Sequence, residues 1–176
     1  IKRLATQGLV NHERYAGVTL TEEGTALAMG MVRRHRLLET FLVQELGYSW
    51  DEVHADADLL EHACSDLFIE RLDAHLGSPT RDPHGDPIPD IGGGIEDLGT
   101  LTLASAPLDA PVTVERVCDE DPGLLRYLDR FGVELGNELR VSDSVAGLLT
   151  VQTKGGEMSL AEVAAREITV RLASTK

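Results

Sequence analysis

The chain has 176 residues, of which 42% are hydrophobic and only 4% aromatic, and 16 Lys and Arg against 30 Asp and Glu give a formal net charge of −14. This composition is typical of a globular protein with one or two aliphatic cores. It excludes a membrane span, because no apolar run approaches the required length of about 18 residues. The two distant cysteines, Cys64 and Cys118, exclude a disulfide framework and favour a cytoplasmic location.

The charges are unevenly distributed along the chain. Residues 1–36 are net basic, whereas almost all of the acidic residues follow residue 38. An acidic surplus argues against a general nucleic-acid binder. A basic end joined to an acidic body suits a protein that contacts DNA at one end and binds cations in its middle. Solubility is the other explanation of the net charge, and charge alone favours it.

The first elements predicted are a helix, a β-hairpin and a second helix. Residues 1–7 resemble the end of a helix, with Gly8 as its C-cap. Two short β-type runs around a turn with Gly17 predict a hairpin, and Thr21 is a suitable N-cap for the next helix. This order is typical of the last part of a winged helix-turn-helix, although it also occurs in other folds.

Two long helices are predicted next. The first spans 22–46 with an apolar stripe and ends at Gly47; the stripe consists of Leu27, Met31, Leu38, Leu42 and Leu46. The second runs from Trp50 to about Leu76, with Ser49 as its cap. The following segment, 77–99, is rich in proline and glycine and is predicted as a structured loop or linker at a domain boundary.

The C-terminal part changes to the alternating pattern of β-strands. Five short strands are predicted, in the runs LTLAS, PVTVERV, ELRVSD, LLTVQT and EITVRL, with one helix in PGLLRYLDRF. Five strands and a helix within about 75 residues indicate a small SH3-like barrel. The predicted fold class is therefore α+β, with a helical domain followed by a β-barrel domain.

The residues that indicate chemistry are polar side chains on otherwise apolar helices. His54, Asp58, Glu61 and His62 share one helix face about 100° wide. His54 and His62 are separated by roughly 12 Å of helical rise, whereas ligands lie about 2.0–2.6 Å from a metal ion. One ion therefore does not suit both histidines, and two sites are predicted.

The preceding helix completes the first of these sites. His35 and Glu39 lie four residues apart on one of its faces, and with His54 they form one predicted ligand set. Asp58, Glu61 and His62 form the other. A His and a Glu at this spacing are more often an exposed surface pair, and only the four ligand types on the next helix shift the balance toward metal binding.

The ligand types restrict the metal. Neither set contains a thiolate, because Cys64 falls off the ligand face. Nitrogen and oxygen ligands suit Mn²⁺ or Fe²⁺ and also accept Zn²⁺, Co²⁺ or Ni²⁺. His12 and His75 are interpreted as surface residues, and His84 as a residue that shapes a turn. A metal-dependent hydrolase or a metal-storage module is the alternative from another class, but no motif for an enzyme is visible.

Four segments together resemble the diphtheria toxin repressor family of metal-dependent regulators. They are GLVNHERYAGVTLTEEG, MVRRHRLLETFLVQELG, WDEVHADADLLEHACSD and SPTRDPHGDPIP. The resemblance implies a winged helix-turn-helix in 1–21, a helical dimerisation and metal-binding domain in 22–78, a linker in 79–99 and an SH3-like (FeoA-like) domain in 100–176. It implies a repressor of metal-uptake genes that binds operator DNA as a homodimer.

The resemblance also implies a role for each predicted ligand. His35, Glu39 and His54 match the family's ancillary metal site, whereas Asp58, Glu61 and His62 match its primary, regulatory site. The iron-responsive branch carries Cys where Asp58 stands, and the manganese-responsive branch carries a carboxylate. The chain therefore resembles a manganese transport regulator with two Mn²⁺ ions, and an iron-dependent regulator is the alternative.

Three further expectations rest on this resemblance. The chain begins inside the recognition helix, so further DNA-reading residues and another primary-site ligand are expected before Ile1. Lys2, Arg3 and the wing residue Arg14 are expected to contact DNA phosphates. From the C-terminal domain, Asp119 is the first choice for an additional ancillary ligand and Asp121 the second.

The predicted dimer surface is apolar and contains Leu59, Leu60, Leu67 and Phe68.

Overall fold

The computed structural model describes residues 1–13 and 17–173. Helix α1 (Lys2–Thr6) leads into an antiparallel hairpin of β1 (Val10–Glu13) and β2 (Gly17–Leu20), in which Val10 pairs with Leu20. The predicted order of helix stub, hairpin and helix is confirmed. Within these described ranges, no helix combines the length and the apolar character that crossing a membrane requires.

Helix α2 (Glu22–Leu46) is the central element of the N-terminal half. The Thr21 hydroxyl caps it by accepting a hydrogen bond from the Gly24 N–H at 3.0 Å. Its other end is Gly47, which adopts the left-handed conformation at φ 74°. The predicted apolar stripe is only partly correct: Leu38 and Leu42 are buried, but Leu27 and Leu46 are more than half exposed. Only the middle of α2 is covered by the helices that follow.

The single helix predicted from Trp50 to Leu76 is wrong, because the chain forms two helices there. They are α3 (Val53–Glu61) and α4 (Asp66–His75). Ser65 has extended backbone angles, and its hydroxyl accepts a hydrogen bond from the Phe68 N–H at 3.3 Å, so a new helix starts after it. A contact with α2 also stabilises the break between the two helices, because Arg34 donates a hydrogen bond to the Cys64 carbonyl oxygen at 2.9 Å.

These helices share one small core, and the proline-rich segment packs onto it. The buried apolar side chains of this core are Leu37, Leu38, Leu42, Val53, Ala57, Ile69, Leu72 and Ile88. Residues 84–89 are buried, so this part of the segment is a packed loop. Gly85 adopts φ 91° against residues 115–116 of the C-terminal half, where a Cβ atom would lie 2.1 Å from the Glu115 carbonyl oxygen.

The C-terminal half is a five-stranded antiparallel sheet in the order β6-β5-β4-β3-β7. Its strands are β3 (Pro111–Val117), β4 (Glu138–Val145), β5 (Leu148–Thr153), β6 (Gly156–Ala161) and β7 (Ile168–Leu172). Helix α5 (Pro122–Arg130) follows β3, and the short α6 (Glu162–Ala165) precedes β7. Mixed helix and sheet, with an SH3-like C-terminal domain, confirms the predicted fold class.

One predicted strand is wrong and another strand escaped prediction. LTLAS forms a 3₁₀ turn, Leu103–Ser105, because the Thr102 and Ser105 side chains cap it reciprocally and Leu103 is fully buried. The fifth strand is instead GEMSLA, where Met158 and Leu160 alternate with exposed residues as the inner face of β6. The predicted number of five strands is therefore correct, and four of the five lie where they were predicted.

Candidate metal centre

The first ligand set lies where the middle of α2 faces the start of α3. His35 Nε2 is 3.0 Å from Glu39 Oε1 and 3.1 Å from His54 Nδ1. His54 Nδ1 lies 3.3 Å from the same Glu39 oxygen. Neighbouring ligands in an octahedral shell with bonds of about 2.1 Å are about 3 Å apart. The three side chains therefore match the spacing of ligands around one ion, and we call them the ancillary triad.

The ancillary triad is buried on one side and open on the other. Glu39 has no exposed side-chain surface and His35 retains 16%, whereas His54 is 60% exposed. The second Glu39 oxygen, Oε2, is buried and has no hydrogen-bond partner among the described residues. A buried carboxylate with an unpaired oxygen is suited to a cation, because an ion can both satisfy that oxygen and compensate the charge.

The pKa values in this triad show how strongly its charges interact. Burial of the His35 ring opposes protonation, but hydrogen bonds and charge from Glu39 and Glu61 outweigh it and raise the pKa of His35 to about 9. Burial likewise opposes ionisation of Glu39, yet the hydrogen bond and charge of His35 keep the pKa of this carboxyl below its usual value. In the absence of metal, a proton on His35 therefore compensates the buried Glu39 charge.

The second ligand set lies one turn further along α3 and is more exposed. One ligand atom from each of Asp58, Glu61 and His62 lies within 4.8 Å of the others. His62 Nε2 is 3.5 Å from Glu61 Oε1, and the His62 side chain is 70% exposed. We call these residues the regulatory triad, after the role that the resemblance implies. Its open side leaves room for water or for further ligands.

Glu61 connects the two triads. One of its oxygens faces His62, and the other lies 2.7 Å from His35 Nδ1. This contact occupies the ring nitrogen of His35 that faces away from the ancillary triad. A carboxylate in that position fixes the orientation of a histidine ligand and increases its basicity. The two triads are thus joined through a single hydrogen bond.

The C-terminal domain approaches the ancillary triad through the turn between β3 and α5. Asp119 Oδ2 lies 3.5 Å from His54 Nδ1, as expected for the first choice of additional ligand. The second choice, Asp121, is engaged elsewhere: it caps α5 by accepting hydrogen bonds from the Gly123 and Leu124 N–H groups. A cleft of about 430 Å³ between the domains is lined by both triads except His62, together with Asp119.

Sequence reasoning missed a network of charged side chains in the wall of this cleft. Arg36 donates to Asp86 at 3.0 Å, and Arg116 of β3 pairs with the same carboxylate at 2.9 Å. Burial and the charge of Asp86 raise the pKa of Asp82 to about 7. His84 was expected to shape a turn; the turn is formed by Asp82, which accepts the His84 N–H, while the His84 ring is fully buried. The dense run DPHGDP was the only sequence signal.

The predicted DNA contacts are distributed unevenly in the structure. Lys2 and Arg3 are exposed on α1, and Arg14 lies outside the described residues. The other basic residues of the N-terminal region have structural partners. Arg33 pairs with Asp73 at 2.9 Å, Arg34 pairs with Asp66, and Arg36 binds the loop described above. Three of the basic side chains in residues 1–36 are therefore paired with acidic residues of the helical domain and its loop.

Comparison with known proteins places both halves of the chain. Residues 21–90 match the family described as the metal binding and dimerisation domain of iron-dependent repressors, and residues 101–172 match the FeoA domain. The iron-dependent repressor IdeR of Mycobacterium tuberculosis is 34% identical over 170 residues, which cover 89% of this chain and 74% of that protein.

The chain belongs to the diphtheria toxin repressor family. The diphtheria toxin repressor of Corynebacterium diphtheriae is 28% identical over 188 residues, covering 97% of this chain and 79% of the relative. A solved structure described as a manganese-dependent transcriptional repressor in complex with manganese superposes with a TM-score of 0.88 at 46% identity. The match covers 98% of this chain and 81% of that one.

Membership in the family establishes the general function. The chain is a metal-dependent transcriptional repressor with a metal-binding and dimerisation domain. Its relatives are repressors, so it is not an enzyme, and the hydrolase interpretation is set aside.

Proposed function

We propose that this chain is a manganese-activated repressor that binds two Mn²⁺ ions per chain and, as a homodimer, the operators of metal-uptake genes. The observation that carries the proposal is the ligand set of the regulatory triad, in which Asp58 supplies oxygen beside Glu61 and His62. Oxygen and nitrogen ligands suit Mn²⁺, whereas a thiolate in the same position would favour softer metals. The 46% identity to a structure described as manganese-dependent, against 34% to an iron-dependent repressor, supports the same choice.

The second ion is assigned to the ancillary triad, with Asp119 as a further ligand. Its support is the spacing of 3.0–3.5 Å between neighbouring ligand atoms and the unpaired buried oxygen of Glu39. When bound, an ion supplies positive charge that holds the carboxylates and imidazoles of α2 and α3 together. Asp119 extends this contact to the C-terminal domain, and Glu61 connects it to the regulatory triad.

The homodimer is proposed to form through the apolar side chains of α3 and α4. Leu59 is 71% exposed, Leu67 56%, Phe68 44% and Leu60 37%, so none of them belongs to the internal core. Large apolar side chains exposed together on adjacent helices favour a protein partner. A second copy is the simplest occupant, because this region matches a family defined by dimerisation.

The DNA-binding role is proposed for the N-terminal end. The hairpin of β1 and β2 has the position of a wing, and Lys2 and Arg3 on α1 are exposed for phosphate contacts. A co-repressor must stabilise the DNA-competent state more than the other state. An ion in the ancillary triad joins α2 to α3, and Glu61 links the regulatory triad to His35 of α2. Metal binding therefore offers such a difference, because it fixes the helices on which the N-terminal elements and the dimer surface are built.

The metal preference is tested by exchanging one ligand. In Asp58→Cys a soft thiolate replaces the hard carboxylate, so Mn²⁺ affinity should fall while Zn²⁺ and Co²⁺ affinities rise. Titration of the metal-free chain with each ion measures this, and a thiolate–Co²⁺ absorption band would locate the change. Glu70→Cys, on the exposed face of α4, is the matched control. An unchanged Mn²⁺ to Zn²⁺ ratio in Asp58→Cys would contradict the assignment of the regulatory triad.

Iron is the second candidate for the physiological metal, and the relation to iron-dependent repressors favours it. Anaerobic titration with Fe²⁺ separates the two. If this protein is a manganese regulator, Mn²⁺ should produce full operator binding at a free concentration at which Fe²⁺ does not. Equal or better activation by Fe²⁺ would make it an iron regulator despite Asp58.

A further inference from the structure

A third group of ligand-type side chains lies behind the ancillary triad, on the side that faces the packed loop. One ligand atom from each of Glu39, Asp82 and His84 lies within 4.8 Å of the others. All three residues are buried: Glu39 and His84 have no exposed surface, and Asp82 retains 5%. The predicted ligand sets include only Glu39 of these three. We call the three residues the inner cluster.

The hydrogen bonds of His84 determine which of its nitrogens is free. Its Nε2 lies 3.1 Å from the Trp50 carbonyl oxygen, which accepts only, so Nε2 carries the proton. In the neutral ring Nδ1 then has a lone pair. Nδ1 is buried and has no partner among the residues that the structure describes. The ring is held in place by an edge contact with Trp50, with ring centroids 5.6 Å apart.

The two carboxylates present acceptors to the same space. Glu39 uses Oε1 for the ancillary triad, and its Oε2 is buried without a partner in the described part of the chain. Asp82 uses Oδ1 to accept the N–H groups of His84 and Asp86. Its other oxygen, Oδ2, is only approached by Arg36, at 3.7 Å. Hydrogen-bond acceptors of Glu39, Asp82 and His84 therefore face one another here, and few donors lie close enough to pair with them.

Such an arrangement is costly unless something positive lies within it. A buried polar atom without a partner destabilises the folded chain, and more strongly where the group is charged. Three carboxylates meet in this region, those of Glu39, Asp82 and Asp86, against the two guanidinium groups of Arg36 and Arg116. The proton on His35 completes the balance of charge in the metal-free chain, so the case for a ligand here rests on the two buried atoms that lack a partner in the described residues, Glu39 Oε2 and His84 Nδ1.

We propose that the inner cluster is a third metal site, which binds a divalent first-row cation through Glu39 Oε2, a carboxylate oxygen of Asp82 and His84 Nδ1. Glu39 then bridges two ions, with Oε1 toward the ancillary triad and Oε2 toward the inner cluster. The ligands are again nitrogen and oxygen, so the same metals that suit the two predicted sites suit this one. The proposal goes beyond the two-ion repressor and shares only Glu39 with it.

Anomalous diffraction from crystals of the chain loaded with Mn²⁺ tests the proposal directly. We expect a peak beside His84 Nδ1 and Glu39 Oε2 in addition to peaks at the two triads. Peaks at both triads without one at the inner cluster would overturn the third site and leave the proposed function intact. A peak at the inner cluster with both triads empty would uphold the third site and refute the two-ion proposal.

Ion counting on matched variants provides the second test. After dialysis against Mn²⁺, the natural chain should hold three ions and His84→Gln two, whereas His75→Gln, exposed on α4, should hold three. Unchanged circular dichroism shows that His84→Gln is folded; if it is not, the diffraction map decides. A count that is the same in the natural chain and in folded His84→Gln at saturating Mn²⁺ would overturn the proposal.

Discussion

Replacement of Glu61 should weaken both metal sites, whereas replacement of Asp58 should weaken only one. Both side chains belong to the regulatory triad, but only Glu61 also contacts His35, through Nδ1 at 2.7 Å. Loss of such an outer partner of a histidine ligand typically lowers metal affinity 10- to 100-fold. Glu61→Gln is therefore expected to reduce affinity at the ancillary triad by about tenfold or more, equivalent to about 1.4 kcal/mol.

Protons oppose this effect in a way that gives it a pH dependence. Glu61 is one of the groups that raise the pKa of His35 to about 9, so at pH 6.5 nearly every metal-free chain carries a proton that Mn²⁺ must displace. Removing the Glu61 charge lowers this pKa and reduces proton competition. The loss caused by Glu61→Gln should therefore be smaller at pH 6.5 than at pH 8.5, where protons compete less strongly in both proteins.

The assay is anaerobic titration of the metal-free chain with Mn²⁺ at both pH values, for the natural chain, Asp58→Ala and Glu61→Gln. Asp58→Ala should keep the ion of the ancillary triad at nearly natural affinity, whereas Glu61→Gln should bind that ion more weakly. The reasoning is refuted if the remaining site has equal affinity in the two variants at both pH values, because the contact with His35 would then have no part in metal binding.

Three further predictions concern stability. Arg36→Ala removes the guanidinium group beside the buried Asp82 and Asp86 carboxylates and leaves only Arg116 to pair with Asp86, so it should lower the free energy of unfolding by about 3 kcal/mol in urea titration. Arg166→Ala, which breaks an exposed pair, should cost less than about 1 kcal/mol, and equal losses would contradict this. Gly85→Ala should cost more than Gly132→Ala in the same assay: both glycines have positive φ, but only at Gly85 would a Cβ meet a carbonyl oxygen, at 2.1 Å, and comparable costs would show that the loop yields. The metal-free chain should lose stability from pH 6.5 to 9, because the folded state binds the His35 proton more tightly than the unfolded chain, whose pKa is near 6.5; this contribution is complete below pH 6.5, and an identical pH profile in His35→Gln would count against it.

The geometry of helices explains how much of the candidate site could be predicted. The grouping of His35 and Glu39 with His54 follows from residues four apart on one face and from the limited reach of a metal ion. Their approach to within 3.3 Å in the structure agrees with that prediction, although their role as ligands remains to be tested. The break at Ser65 was missed because the apolar pattern of α3 and α4 continues across it, and only the capping hydroxyl marks it.

The inner cluster could not be predicted, because its members come together only when a loop folds onto a helix. Asp82 and His84 lie more than forty positions after Glu39, and no periodicity connects the loop with the face of α2 that it covers. The C-terminal domain shows the same limit: LTLAS alternates like a strand, yet Leu103 is buried in a 3₁₀ turn. An alternating pattern shows that one side of a segment is apolar, but it does not show whether the segment pairs with a neighbouring strand.

The most direct test of the central claim measures the affinity for operator DNA as free Mn²⁺ is varied. It compares the natural protein with the Asp58→Ala variant. We predict that Mn²⁺ strongly increases operator affinity in the natural protein and that Asp58→Ala abolishes most of this increase while Glu70→Ala does not. Equal stimulation of the natural protein and Asp58→Ala would contradict the account, because the regulatory triad would then not be the site through which manganese acts.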